Sequence, residues 1–324
     1  MKLEVSVDAW PVRRPFRIAY HTFHHRDLLR VAVTEYGHRG CGEAGGHPHL
    51  EPIDQARERL LGLRDALQEG VDRQRLLTLL PPGPARNALD CALWDLEAKR
   101  SGRRVWALAG LPAPRPIETA YTIGIGPAAD MVREARERAD FAVLKLKVDG
   151  DSGFELLAEV AAARPDATFI IDANEAWGIE RLEAFAAAAA SLRVVLIEQP
   201  LPRDADEPLA NFRIPIPLAA DESFHTAADI DRLRDRYQAV NIKLDKVGGL
   251  TAALEAAQAA RRAGLDVMVG CNGGTSLGIA PAYCVGLLCR YVDLDSPLLL
   301  ARDRDPALTY RDGRLLPPPA EVWG

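Results

Sequence analysis

The sequence predicts an α/β protein: a (β/α)₈-type barrel preceded by an α+β N-terminal capping domain. Three observations indicate this class. The first third mixes strand and helix patterns, a proline-rich segment follows, and short apolar runs then alternate with alanine- and leucine-rich helical stretches. The chain has 324 residues, of which 48% are hydrophobic, so it is long enough for both units.

The capping domain is predicted over residues 1–113 and is completed by the C-terminal tail, 301–324. Alternation of polar and apolar residues indicates strands, whereas alanine and leucine at helical spacing indicate helices. The predicted elements are strands at 2–9 and 28–35, a turn-rich hairpin end at 37–46, and helices at 54–68 and 85–101.

The barrel is predicted over 114–300, beginning at a boundary marked by Pro112, Pro114 and Pro116. Alternating strand and helix patterns imply parallel βα units, and eight of them fit a closed barrel. The alanine run 186–190 is expected to lie in a barrel helix. The candidate strands end near Tyr121, Lys147, Asp172, Glu198, Asp221, Lys243, Val269 and Asp293.

The net charge, the cysteines and the apolar stretches argue against several classes of partner and location. The net charge of −6 argues against a nucleic acid or an anionic membrane as the main partner. Five scattered cysteines without a CxxC pair are typical of reduced thiols in a cytosolic protein. The first residues show no basic patch followed by an apolar run, so no signal peptide is expected, and no apolar stretch is long enough to predict a membrane span.

Three acidic residues end consecutive candidate strands. Asp172, Glu198 and Asp221 are spaced 26 and 23 residues apart, one βα unit each, so all three are expected at the same mouth of the barrel. Crowded carboxylates repel one another, and a hard divalent cation such as Mg²⁺ or Mn²⁺ resolves that repulsion with oxygen ligands. Helix capping or pairing with surface arginines is the alternative.

Lysines flank the acids on both sides. Lys145 and Lys147 alternate toward the barrel interior on the strand before Asp172, and Lys243 ends the strand after Asp221. A lysine in an apolar mouth near other cations has a lowered pKa and serves as a base. Two such bases suit removal of a proton from one face of a substrate and its return on the other. Structural ion pairing is the alternative for Lys145 and Lys147.

The chain resembles the muconate-lactonizing subgroup of the enolase superfamily, whose fold is a (β/α)₇β barrel under an α+β cap. The resemblance implies that Asp172, Glu198 and Asp221 bind Mg²⁺ and that Lys147 and Lys243 are the acid/base catalysts. It places Lys145 near the substrate carboxylate, where it helps to depress the pKa of Lys147. The motifs that carry it are LKLKV (144–148), IDANEAW (171–177), IEQP (197–200), ADES (220–223) and NIKLDKVGGL (241–250).

Within this subgroup the chain is most similar to dipeptide epimerases. The Asp293-x-Asp295 pair after the eighth strand resembles the carboxylates that hold the free α-ammonium of a dipeptide. Thr122, Cys271 and Gly273 match positions that contact substrate, with Cys271 as pocket wall rather than nucleophile. The resemblance implies an isomerase of cell-wall peptide metabolism. Its reaction is 1,1-proton transfer at the α-carbon of the C-terminal residue of a dipeptide such as L-Ala-D/L-Glu, through a metal-stabilised enediolate.

The segment 19–26 matches the mobile lid of this family. In Ala–Glu epimerases the lid carries an arginine for the glutamate carboxylate, and His21 occupies that place here, with Arg17 and Arg26 nearby as substitutes. Gly273 and Gly274 leave pocket space unfilled. The preference for the dipeptide's side chain and the oligomeric state therefore stay open. The expected binding partner is a small dipeptide, and a homo-oligomer is possible.

Other functions remain as alternatives. N-acylamino-acid racemases, o-succinylbenzoate synthases and cycloisomerases would share the metal and the lysines, but they have no substrate ammonium for Asp293 and Asp295 to bind. A Schiff-base aldolase would use Lys145 or Lys243 without needing three acids. A phosphosugar barrel would bind phosphate after the seventh strand, where the mouth is acidic. A non-enzymatic binding protein would scarcely need both lysines.

Overall fold

The cap is a three-stranded antiparallel sheet covered by helices. The computed structural model describes residues 1–46, 51–151 and 154–324. The sheet order is β1-β2-β3, and the longest helix, α4, packs across β3. The elements are β1 (Lys2–Ile18), β2 (His21–Glu35), β3 (His38–Gly45), α1 (Ile53–Leu61), α2 (Arg64–Glu69), α3 (Arg73–Leu79), α4 (Pro84–Ser101) and α5 (Val105–Leu108).

The predicted helix 85–101 is present, and so are the strands predicted over 2–9 and 28–35, but each strand is about twice as long as predicted. Two further details of the cap differ from the prediction. The segment 37–46 is not a hairpin end: its turn is Tyr36–Gly37, and β3 follows at once. Gly40 and Gly42 lie in this strand because α4 approaches so closely that a Cβ there would stand 2.1 Å from a helix carbonyl oxygen. The helix predicted over 54–68 divides after Gly62, a residue that weakens helix interiors.

The barrel is an eight-stranded parallel sheet in the order β5 to β12. A hydrogen bond of 2.8 Å from Ala120 N to Val292 O joins its two edges. The elements are β4 (Ile117–Glu118), β5 (Tyr121–Ile123), α6 (Ala128–Glu137), β6 (Val143–Lys147), α7 (Phe154–Ala163), β7 (Thr168–Asp172), α8 (Ile179–Ala188), β8 (Val194–Glu198), β9 (Leu218–Ala220), α9 (Ile230–Leu233), β10 (Ala239–Lys243), α10 (Leu244–Val247), α11 (Leu250–Arg262), β11 (Asp266–Gly270), α12 (Ser276–Gly286), β12 (Tyr291–Val292) and α13 (Ser296–Leu299).

The eight predicted strands are present with small shifts. The first begins rather than ends at Tyr121, and the alanine run leaves α8 at Ala188 for a 3₁₀ turn. The tail forms a hairpin, β13 (Tyr310–Arg311) and β14 (Arg314–Leu315), which pairs with β4. No helix among the described residues is both long and apolar enough to cross a membrane.

Strand alternation places the charged residues above an apolar floor. Ile170, Leu196 and Ala219 are buried together inside the barrel. Two residues further along the same strands stand Asp172, Glu198 and, just past the end of β9, Asp221. Side chains two residues apart on a strand point to the same face. The charged side chains therefore lie directly above the apolar layer, inside the barrel at the ends of the strands.

Candidate functional site

The three acids are buried, and each contacts a lysine nitrogen: Asp172 and Glu198 contact Lys145, and Asp221 contacts Lys243. Asp172 and Glu198 are register partners on β7 and β8, and Asp221 directly follows β9. Their exposed fractions are 0%, 0% and 2%. The Lys145 Nζ, itself buried, lies 3.0 Å from Asp172 Oδ2, 2.7 Å from Glu198 Oε2 and 2.8 Å from Asp293 Oδ2. One ammonium group therefore lies among three carboxylates, those of Asp172, Glu198 and Asp293, and offsets part of their charge.

The other two predicted lysines stand at opposite ends of the acid row. Lys147 Nζ donates to Asp172 Oδ2 at 2.6 Å and to Asn174 Oδ1 at 3.0 Å. Lys243 Nζ donates to Asp221 Oδ2 at 2.5 Å. The two amines therefore lie at opposite ends of the row of carboxylates.

Burial and ion pairing pull the pKa values of these groups in opposite directions. Burial raises the pKa of Glu198 to about 7, and Asp172 adds to the rise. Burial alone would also raise the pKa of Asp172, but Lys147 and Lys145 lower it to about 2. Burial would lower the pKa of Lys243, yet Asp221 and Glu198 raise it above its ordinary value. The lowered lysine pKa predicted from the sequence depends on nearby cations and stays a prediction.

Asp172, Glu198 and Asp221 have the ligand atoms that a divalent cation prefers, but their side chains are not arranged around a common point. Among the residues that the structure describes, no three Asp, Glu, His or Cys side chains converge closely enough to hold one ion as they stand. However, Glu198 Oε2 is buried and accepts no hydrogen bond of good geometry, although Lys145 Nζ is near. An all-oxygen, carboxylate-rich donor set with an unsatisfied buried oxygen is what Mg²⁺ prefers.

The aspartates after β12 meet the residues of β5. Asp293 Oδ1 accepts from Thr122 Oγ1 at 3.0 Å, and Asp295 Oδ2 accepts from Thr122 N at 2.5 Å. Burial, together with Asp293, raises the pKa of Asp295 to about 7. Cys271 Sγ lies 3.5 Å from Asp293 O, and burial raises the pKa of its thiol to about 12, which leaves it a protonated wall of the site.

The lid is shorter than predicted, because only Ala19 and Tyr20 form the turn between β1 and β2. The exposed His21 packs its ring on Phe23, with 4.4 Å between centroids. Arg26 instead reaches toward the site: a Cβ on Gly273, where φ is +103°, would stand 2.5 Å from its Nε. Its guanidinium also lies over the Phe23 ring, 4.0 Å from Cζ to centroid, and is attracted by the buried carboxylate of Asp245.

Several site residues were not singled out from the sequence. Lys246 donates to Asp221 Oδ1, Asn241 Nδ2 donates to Glu198 Oε1 at 2.8 Å, and Asn174 Nδ2 donates to Glu222 Oε1 at 3.0 Å. Burial, together with Asp221, raises the pKa of Glu222 to about 8. Strand alternation was the available signal for Asn241, two residues before Lys243.

Both halves of the chain match known family models. The model described as "Enolase C-terminal domain-like" matches residues 128–321, and the model "Mandelate racemase / muconate lactonizing enzyme, N-terminal domain" matches residues 1–110. The chain is 40% identical to the L-Ala-D/L-Glu epimerase of Escherichia coli K12 over 97% of this chain and 98% of that protein. It is 45% identical to the N-acetyl-D-glutamate racemase of a Pseudoalteromonas species over 78% of this chain and 80% of that protein.

Solved structures of related proteins indicate the same family. An enolase family member from Agrobacterium tumefaciens with homology to dipeptide epimerases, bound to sodium and L-Ala-L-Glu, superposes with a TM-score of 0.96 at 42% identity over 99% of both chains. A dipeptide epimerase from Methylococcus capsulatus, complexed with Mg and L-Arg-D-Lys, superposes with a TM-score of 0.89 at 32% identity over 98% of both chains. As its motifs indicated, the chain belongs to the enolase superfamily and, within it, to the mandelate racemase/muconate lactonizing enzyme family.

Proposed function

We propose that this protein is a Mg²⁺-dependent dipeptide epimerase, an isomerase that moves the proton at the α-carbon of a dipeptide's C-terminal residue. The carrying observation is the placement of two buried amines, Lys147 and Lys243, at opposite ends of a row of three buried carboxylates. The epimerases of Escherichia coli and Methylococcus capsulatus are relatives over nearly the whole chain and support the same reaction.

Asp172, Glu198 and Asp221 are the proposed ligands of Mg²⁺, which when bound supplies positive charge to the substrate carboxylate. One lysine, as the free amine, takes the α-proton, and the electron pair left behind is delocalised into that carboxylate. The lysine at the other end, as ammonium, returns a proton to the opposite face. Lys145, held among the acids, adds a further positive charge beside the substrate carboxylate.

The free ammonium of the substrate distinguishes a dipeptide from an N-acylamino acid. Asp293 and Asp295 provide two buried carboxylates at one end of the site, and a cationic group is the partner that such a pair favours. The likeness to the N-acetyl-D-glutamate racemase keeps N-acetylglutamate as the competing substrate. Asp293 is already paired with Lys145 at 2.8 Å, so Asp295 is the carboxylate left for a substrate ammonium, and N-acetylglutamate has no ammonium group to meet it.

The Arg26 side chain supports an acidic residue at the second position of the dipeptide. Its guanidinium is half-buried against Gly273 and the Phe23 ring and makes no ion pair within the described part of the chain. The main charge that attracts it, Asp245, already accepts hydrogen bonds from Asn87 and Gly45, so an anionic group of the substrate would be a further partner. A charge-assisted hydrogen bond is worth about 1.5–3 kcal/mol. Arg26→Gln should therefore raise KM for L-Ala-L-Glu by about 10- to 100-fold and leave L-Ala-L-Leu nearly unchanged. Arg17→Gln is the matched control, because Arg17 is paired with Asp149 at 3.2 Å.

Deuterium incorporation tests the function directly. Enzyme with MgCl₂ is incubated in D₂O with L-Ala-L-Glu, L-Ala-L-Leu and N-acetyl-L-glutamate, and mass spectrometry follows uptake of one deuteron. We expect uptake by dipeptides, fastest for L-Ala-L-Glu, and loss of uptake in EDTA. Uptake by N-acetylglutamate alone would replace the dipeptide assignment with a racemase, and uptake by none of the three would refute the proposal.

We also propose the division into a capping domain, 1–113 with 301–324, and a barrel, 114–300. Two contacts of the tail with the cap support it: Trp323 Nε1 donates to Cys91 O at 3.0 Å, and Arg304 pairs with Glu43, whereas the tail hairpin pairs with β4 of the barrel. A cytoplasmic location and a role in cell-wall peptide metabolism belong to the same proposal. The five unpaired cysteines support the location.

A further inference from the structure

The four-residue helix α10 follows Lys243 directly and is held at both ends by helix α4 of the cap. At its start, Asp245 Oδ1 accepts from Asn87 Nδ2 at 2.8 Å and from Gly45 N at 3.1 Å. At its end, Arg86 donates from Nε to Gly248 O at 3.0 Å and from Nη2 to Val247 O at 2.5 Å. Two consecutive residues of α4 thus fix one helical turn of the barrel.

The fit between α4 and this turn depends on a close approach. Gly248 has a φ of +83°, and a Cβ there would stand 2.4 Å from Arg86 Nε. Gly249, with a φ of +113°, leaves a similar space that Asp90 occupies. Both the conformation and the space require glycine, so the cap and the barrel are shaped to each other at this point.

The held turn determines where the second proton-transfer lysine stands. Lys243 is the last residue of β10, and Lys246 lies inside α10; both donate to Asp221. A displacement of the turn would move both amines. Lys147 stands four strands away on β6, where Asp172 and Asn174 hold its side chain instead.

We infer that Asn87 and Asp245 are positioning residues for Lys243, so that this contact between the cap and α10 acts on proton transfer by Lys243 rather than by Lys147. This inference rests on the proposed function. Misplacing a reacting group by about 1 Å costs about 100-fold in rate, so a loosened turn should slow the step that Lys243 performs and spare the step that Lys147 performs.

The test measures loss of the α-proton from L-Ala-L-Glu and from L-Ala-D-Glu separately, by NMR in D₂O during the initial phase. The variants Lys147→Ala and Lys243→Ala first establish which epimer depends on which lysine. We then expect Asn87→Ala and Asp245→Ala to slow exchange of the Lys243-dependent epimer at least tenfold relative to the other. Asp245→Asn, which keeps an oxygen acceptor for Asn87 and Gly45, should retain the wild-type ratio.

The readout is the ratio of the two exchange rates, which does not depend on the folded fraction because unfolded molecules exchange neither epimer. Thr251→Val is the matched control: it removes a hydrogen bond to Asp90 at the same interface but lies outside α10, and its ratio should equal that of the wild type. An unchanged ratio in Asn87→Ala and Asp245→Ala would overturn the inference. Absence of exchange by the wild type would instead overturn the proposed function.

Discussion

Replacement of Glu43 by alanine should be among the more damaging single changes at the junction between cap and barrel. Glu43 is 1% exposed and lies on β3, from which its carboxylate accepts from Thr275 N at 2.7 Å and from Arg304 Nε at 2.9 Å. Breaking a buried ion pair by removing one partner costs about 3–5 kcal/mol. The Arg304 side chain is 18% exposed and regains some hydration, so we expect the lower end, about 3 kcal/mol. In a chain of this length that corresponds to a fall in Tm of about 4 °C.

Urea unfolding followed by circular dichroism measures this loss. The double variant Glu43→Ala/Arg304→Met should lose less free energy of unfolding than the two single variants together, because each single variant leaves a group unpaired. Glu4→Gln is the control, since Glu4 pairs with Arg39 on the surface and its loss should have no measurable effect. If Glu43→Ala lowered the free energy of unfolding no more than the control does, the Glu43 carboxylate would not be a stabilising contact between cap and barrel.

Three further predictions concern the site. MgCl₂ at about 100 times its Kd should add about 2.7 kcal/mol to the free energy of unfolding, and Asp221→Asn should abolish that gain in thermal unfolding. The pKa of Asp172 is about 2 in the folded protein, below its ordinary value, so its ionised form stabilises the fold above about pH 4. The free energy of unfolding should fall by about 2 kcal/mol as the pH drops toward 2. Acid unfolding of Asp172→Asn should lack this fall. Asp295→Asn, which removes charge but keeps an acceptor for Thr122 N, should slow deuterium uptake by L-Ala-L-Glu more than by N-acetylglutamate; equal effects would contradict an ammonium site.

Strand alternation explains why so much of the site could be predicted. A two-residue period fixes which side chains point inward, and the ends of parallel strands meet at one mouth, so the acids and lysines follow from spacing alone. The contacts of β3, the lid and α10 could not be predicted in this way. Whether Arg26 or His21 turns toward Gly273 depends on the path of a hairpin, and the hold of Asn87 on Asp245 joins residues 158 positions apart. Such contacts are set by tertiary packing, for which local pattern gives no signal.

The placement of Lys145 among three carboxylates has a consequence for how the protein matures. Because the ammonium already neutralises part of the charge at the strand ends, we expect the barrel to stay closed when magnesium is removed. Assembly of the chain and loading of the ion then become separate events. The protein without magnesium should therefore be folded but inactive, and adding the ion should restore its activity.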